Sequence, residues 1–179
     1  MNSLSSSKCF NHPNYNDKSM EINFIALLFA LYAFLPAYVA NATPTIFGGG
    51  TAIDGGLKFI DGRSIFGSHK TIRGFISGLI AGTLVGVIQG EFFVGFLLSF
   101  GALFGDLAGA FVKRRLSIDP GSIFPIVDQL SFVLFALVFV IPFSCLTSKE
   151  MFSAVFFTPL FHVITNATAY ILGFKPDPW

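Results

Sequence analysis

Long apolar runs separated by shorter polar stretches dominate the chain after its first 20 residues. They fall at about 22–40, 72–89, 92–112, 129–146 and 151–172, each close to the ~20 residues that an α-helix needs to cross ~30 Å of hydrocarbon. The pattern predicts an all-α integral membrane protein of about five transmembrane helices. Two connections are tight turns, Gln89-Gly90-Glu91 and residues 147–150, and two are long, polar loops, 41–71 and 113–128. Pro36 and Pro142 lie inside two of the runs. A membrane helix tolerates proline where neighbours re-satisfy the freed carbonyl, so kinks are expected there. Residues 21–179 read as one transmembrane domain. Residues 1–20 are rich in Ser and Asn and lack an apolar run, so they read as a disordered extracellular tail and not a signal peptide, with Met20 as an alternative start.

Within the second and third runs, small residues recur every four positions: Gly74, Gly78, Gly82 and Gly86, then Gly101, Gly105 and Gly109. One such ridge lets two membrane helices approach backbone to backbone. With only a short turn between them, the two helices are expected to form a tight antiparallel hairpin.

Composition agrees with a lipid environment. The 179 residues are 53% hydrophobic and 12% charged, with 24 Phe, whereas soluble domains carry roughly a quarter charged residues. A net charge of +1 excludes the broad basic excess of a nucleic-acid-binding surface. The positive charge is instead local. Lys58, Arg63, Lys70, Lys113, Arg114 and Arg115 lie in the long loops with Arg73 and Lys175 close by, against Lys8, Lys18 and Lys149 on the other side. The positive-inside rule then makes the long loops cytoplasmic, the N-terminus external and the C-terminus internal. Cys9 and Cys145 lack metal-ligand spacing, and His12, His69 and His162 read as structural.

Asp106 is the main anomaly, a carboxylate inside an apolar run about 10 Å below Lys113. An acid at that depth is expensive unless it meets a cation or a wet cavity, so a functional role is the default. Asp106 and Lys113 are seven residues apart and fall on nearly one helix face, with Gly109 and Ala110 between them. Acid, small surface and the Lys113-Arg114-Arg115 cluster form a track for a metal-bound polyphosphate. Asp128, at the start of the fourth helix, supplies a second carboxylate. Together with Asp106 it can hold one or two Mg²⁺, and by itself it is equally an N-terminal acid favoured by the helix dipole.

The 41–71 loop is dense in glycine, which suits close backbone approach to a nucleotide, and carries Asp54, Asp61, Arg63 and Lys70. It has no P-loop signature, and no GxSxG, HExxH or CxxC occurs in the chain. Asn41-Ala42-Thr43 and Asn166-Ala167-Thr168 match the glycosylation sequon but are dismissed as acceptors, one preceding Pro44 on the internal side and one lying within a helix. These features leave a transporter or ion carrier using Asp106, or a non-catalytic membrane scaffold, as alternatives to an enzyme. No inverted repeat favours the transporter.

At these residues the chain resembles the CDP-archaeol synthase family, relatives of the bacterial phosphatidate cytidylyltransferases. The resemblance runs through PAYVANATP (Pro36 to Pro44), DGGLKFIDGRSIFGSHKTIRG (Asp54 to Gly74), GDLAGAFVKRR (Gly105 to Arg115), PGSIFPIVDQL (Pro120 to Leu130) and a closing GFKPDPW. It implies transfer of CMP from CTP to an isoprenoid-ether glycerol phosphate, 2,3-bis-O-geranylgeranyl-sn-glycerol 1-phosphate, giving CDP-archaeol and pyrophosphate with Mg²⁺. On that basis Asp106 and Asp128 are the metal ligands. Lys70, Arg73, Lys113, Arg114 and Arg115 form the phosphate clamp. Asn41, Asp54, Gly55, Asp61, Gly62, Arg63 and Thr71 belong to the nucleotide site. Two positions depart from the family pattern: Ser131 stands where it usually reads Asp, and Ala110 where it usually reads Ser. The DGxxAR and paired DxxxD acids of CDP-alcohol phosphotransferases are absent.

Overall fold

The computed structural model describes residues 24–119, 124–143, 146 and 148–173. The tail through Met20, with Lys8, Cys9, His12 and Lys18, lies outside the described residues, as do Pro120-Gly121, Cys145 and Lys175. So do the side chains of Lys149 and His162. Five α-helices follow one another: α1 Phe24–Phe47, α2 Ile72–Ile88, α3 Phe92–Arg115, α4 Pro125–Val140 and α5 Ser148–Ile171. A single 3-10 turn, Ile141–Phe143, continues α4 and contains Pro142. By length and composition α1, α3 and α5 can each cross a bilayer, and α2 and α4 are shorter apolar helices. Among the described residues the only β pairing is two isolated bridges in the first loop, Ala52 with Thr71 and Lys58 with Ser64.

Four helix ends differ from the sequence expectation, and three of them have a clear physical reason. The first helix continues past residue 40 to Phe47, which puts Asn41 inside α1 and starts the loop at Gly48. The polar residues at 41–45 do not break it because Thr43 Oγ1 donates to Val39 O at 2.7 Å, turning a polar side chain back onto its own helix. The third helix runs on through Lys113, Arg114 and Arg115, where cations are favoured by the negative end of the helix dipole. The fourth begins at Pro125, a residue pre-shaped for the first helical turn, so Asp128 lies within that turn. Residues 148–150, expected as a turn, are the first residues of α5.

Proline and glycine are used together. Pro36 has no N–H for the Tyr32 carbonyl one turn earlier, and Gln89 Nε2, at the end of α2, donates to that carbonyl at 2.6 Å. Gly74, Gly78, Gly82 and Gly86 are all buried, while Ile72, Ile76, Ile80 and Leu84 on the same helix are exposed. α2 is thus packed through its backbone and presents its bulky side chains outward, as lipid allows. A side chain at Gly82 would strike Ser99 Oγ and the Pro36 carbonyl, and one at Gly86 would strike the Gly95 backbone. The α2–α3 hairpin is therefore as tight as expected. The second glycine ridge, however, faces elsewhere. Gly101, Gly105 and Gly109 lie against Ala136, Ser131 and Phe132 of α4, so it is the α3–α4 seam that brings the charged ends of those helices together. Tyr38 donates or accepts a 3.0 Å hydrogen bond with Thr158, tying α5 to α1. The core sits where α1, α3, α4 and α5 meet, around Phe34, Leu98, Phe132, Val133 and Ala136.

A candidate active site at the charged end of the bundle

The first loop is an ordered structure built around Asp54. Its Oδ1 accepts from Gly56 N and its Oδ2 from Phe66 N and Gly67 N, all at 3.0 Å. Burial pushes its carboxyl pKa up, but these backbone donors outweigh burial and hold it below the ordinary value. Asp54 thus organises the loop with both of its oxygens. Gly67 lies at φ +98°, a conformation glycine adopts without steric penalty, so the chain can turn its amide onto Asp54. Thr71 closes the loop: its Oγ1 accepts from Gly74 N, capping α2, and from Gly49 N at the other end of the loop, both at 3.1 Å.

This loop is fastened to the end of α3. Arg63 Nη1 donates to the carbonyls of Arg114 and Arg115 at 3.2 and 3.3 Å, satisfying acceptors that a helix C-terminus leaves open. Arg115 Nη2 donates to Ser64 O at 2.7 Å. Its Nη1 lies 3.0 Å from Asp61 Oδ1, an ion pair without hydrogen-bond alignment. The same guanidinium stacks between Phe59 and Phe111, 4.7 and 4.8 Å from the ring centroids. Arg114 is buried and turns back to Ile118 O at 2.5 Å.

The two lysines of the cluster behave differently. Lys70 Nζ, from the last residue of the loop before the Thr71 cap, donates to Asp106 Oδ2 at 2.5 Å. Lys113 Nζ donates to both oxygens of Asp128 at 2.8 Å, joining α3 to α4. The Lys113 side chain is only 9% exposed, whereas Lys70, Asp106 and Asp128 each retain about a third of their exposure. Asp128 Oδ2 also accepts from Phe124 N at 2.9 Å, so the acid fixes the start of α4 as well. Between the two ion pairs, a side chain at Gly109 would meet Ser131 Oγ at 2.8 Å. Asp106, Gly109 and Lys113 therefore form the strip of α3 that faces Ser131 and Asp128 on α4.

Most of the residues singled out from sequence come together here: Lys70, Asp106, Lys113 and Asp128 as ion pairs, and Asp61, Arg63, Arg114 and Arg115 as the fastening of the loop. Gly55 and Gly62 turn the loop at φ +57° and +77°. Arg73 is exposed at the start of α2, with no hydrogen bond or ion pair among the described residues. Asn41 is half-buried in α1. Sequence reasoning passed over Phe59 and Phe111. Phe111 and Arg115 stand at i, i+4, a spacing that brings helical side chains into contact, so half of that sandwich had a sequence signal. Among the described residues no group of three or more His, Cys, Asp or Glu side chains gathers as a ready-made cation site.

Comparison with known proteins agrees with this architecture. The family model described as CarS-like, CDP-archaeol synthase, matches residues 22–93 and 90–179. A CDP-archaeol synthase of Methanothermobacter thermautotrophicus is 51% identical over 166 residues, covering 88% of this chain and 96% of its own. One from Thermococcus gammatolerans is 45% identical over 168 residues, covering 86% and 97%. A solved structure of an intramembrane enzyme for archaeal membrane lipid biosynthesis superposes with a TM-score of 0.74 at 38% identity, over 78% of this chain and 94% of that one. The five-helix membrane bundle, with its acids and bases gathered at the loop end of α3, belongs to the CDP-archaeol synthase family.

Proposed function

We propose that the charged end of the bundle transfers CMP from CTP to an archaeol-type glycerol phosphate, 2,3-bis-O-geranylgeranyl-sn-glycerol 1-phosphate, releasing pyrophosphate. The observation that carries this reading is the pair of carboxylate–lysine contacts, Asp106 with Lys70 and Asp128 with Lys113, set on facing strips of the loop, α3 and α4. Each contact holds an acid suited to a cation beside a cation suited to a phosphate. Such pairs can exchange partners when a triphosphate arrives, the lysines turning to phosphate oxygens.

The donor set fits Mg²⁺, which takes one or two carboxylates and fills its other positions with water and substrate phosphates. Asp106 and Asp128 are the residues that would hold it, and when bound it would neutralise charge developing on the phosphates. The chain's own part is positioning. Lys70 and Lys113, with the exposed Arg73 in the first turn of α2, offer positive charge to the triphosphate. The lipid phosphate oxygen attacks the α-phosphorus, forming a new P–O bond. The bond from the α-phosphorus to the bridging oxygen breaks, and pyrophosphate leaves with that electron pair. Gly109 and Ser131 keep the strip between the acids narrow in side chains. Asn41, Asp54, Gly55, Asp61, Gly62, Arg63 and Thr71 shape the nucleotide side, Asp54 and Arg63 through the loop they hold.

The site lies at the end shared by the C-terminus of α1, the N-terminus of α2, the C-terminus of α3 and the N-terminus of α4. Seven basic residues from Lys58 to Arg115 fall at this end, which supports a cytoplasmic placement of the loops with the N-terminus outside. CTP then arrives from water and the lipid phosphate from the bilayer. A transfer assay with labelled CTP, offering ether-isoprenoid and diacyl glycerol phosphates side by side, tests the substrate. Label should enter the ether lipid and require a divalent cation. Failure to label either lipid would refute the reading.

A further inference from the structure

The tip of the first loop carries a feature that the reaction does not use. Residues Leu57 to Ser64 form a short hairpin, with Phe59 N donating to Arg63 O at 2.7 Å and Gly62 N to Phe59 O at 2.9 Å. A turn of this kind in water is ordinarily polar. Here its apex is Ile60, 95% exposed, with Leu57 at 66% and Phe59 at 41%. Lys58 is exposed beside them. The one acid of the tip, Asp61, is held by Arg115.

The hairpin is not free to wander, because Phe59 packs edge-on against Phe111 at 5.4 Å and Arg115 stacks on both rings. Phe111 lies seven residues, almost two full turns, beyond Phe104, so the two share a face of α3. Phe104 is exposed to the surroundings of a helix that is long and apolar enough to span a membrane. The hairpin therefore sits on the lipid-facing flank of α3 at the helix end, where acyl chains give way to headgroups. Val112 and Leu116, also exposed, extend the apolar surface at that end of α3.

We propose that Leu57, Phe59 and Ile60 are an interfacial anchor that dips into the leaflet on the loop side of the membrane. Its occupant is the bilayer itself. The apolar tip continues the lipid-facing surface of α3, Lys58 is placed for anionic headgroups, and the ion pair of Asp61 with Arg115 removes the charge that those headgroups would repel. Because Arg115 fastens this hairpin to the end of α3, and the loop that carries the hairpin ends in Lys70, the anchor fixes the level of the candidate site relative to the lipid phosphates.

The test is fluorescence of the full chain in nanodiscs. Trp179 is the chain's single tryptophan, so a Trp179→Phe background leaves one reporter when combined with Ile60→Trp. A second reporter, Leu57→Trp, guards against a perturbation peculiar to the apex. The indole at either position should be quenched by phospholipids brominated high on the acyl chain more than by those brominated near its end, at a depth of roughly 5–10 Å below the headgroup boundary. Aqueous iodide should quench it several-fold less than the same protein unfolded. Strong quenching by iodide with none by bromolipids would overturn the proposal by placing the tip in water. Protection from both quenchers would overturn it in favour of a second copy covering the hairpin.

Discussion

Among the described residues, Lys70 and Lys113 donate only to the acids Asp106 and Asp128, whereas Arg114 and Arg115 donate to backbone carbonyls, and Arg115 also stacks on two aromatic rings beside Asp61. The family resemblance made these four cations, together with Arg73, one phosphate clamp. Their contacts fall into two kinds. A lysine ammonium is a compact point charge on a flexible stem, and its contact with a carboxylate can be traded for one with a phosphate. The planar guanidinium of Arg115 is engaged by Ser64 O, by Asp61 as an ion pair, and by the faces of Phe59 and Phe111. Arg114 is committed to Ile118 O. The lysines thus sit beside exchangeable acids, while Arg115 and the Arg114 carbonyl hold the loop that ends in Lys70.

The largest effects are expected at the lysines. Lys70→Ala and Lys113→Ala should each lower kcat/KM by about 10²–10³-fold, the typical effect of removing one group that stabilises developing charge. An equal loss in Arg114→Ala, with the fold intact, would erase the distinction. The next largest effect is expected at Arg115. Arg115→Lys keeps the charge but loses the fork and the stacking, and should destabilise the fold by about 1–3 kcal/mol in denaturant unfolding. Arg115 should also be nearly silent in triphosphate affinity once the loop is folded.

The smallest expected effect is at Asp54. Its pKa is depressed in the folded chain, so its contribution to stability is complete above the unfolded value and is lost as pH falls through the folded one. Asp54→Asn should cost about 1–2 kcal/mol at neutral pH. The difference from wild type should narrow only below about pH 4, where an unfolded aspartate protonates. Limited proteolysis of the 48–71 loop against pH would follow this. A gap that stayed constant down to strongly acid pH would contradict the role of the carboxylate charge.

Hydropathy alone carried the fold a long way. Lipid enforces it, because an apolar run of bilayer length has almost no alternative to a helix. The limits of α1 were hidden because Asn41, Thr43 and Pro44 look like an exit, and only the back-bonding of Thr43 shows the helix continuing. The glycine ridges were plain from their spacing, but a ridge does not name its partner, and the α3 ridge faces α4 where α2 was the nearer choice in sequence. Asp106 stood out as an acid in an apolar run. Its partner did not, since Lys70 lies 36 residues away in a loop whose path depends on Asp54 and on Gly67 at positive φ. Lys113 and Asp128 are separated by 15 residues and meet only because the α3–α4 seam is lined by glycine.

The proposed function requires Asp106 and Asp128 to act together, with their lysines as partners to be exchanged. Incorporation of labelled CTP into the ether-isoprenoid phosphate, measured for Asp106→Asn and Asp128→Asn in folded, membrane-reconstituted protein, tests it most directly. Both variants should lose transfer while still folding as five-helix membrane proteins. Wild-type rates of CDP-lipid formation in both would contradict the account and return the two acids to a purely structural role.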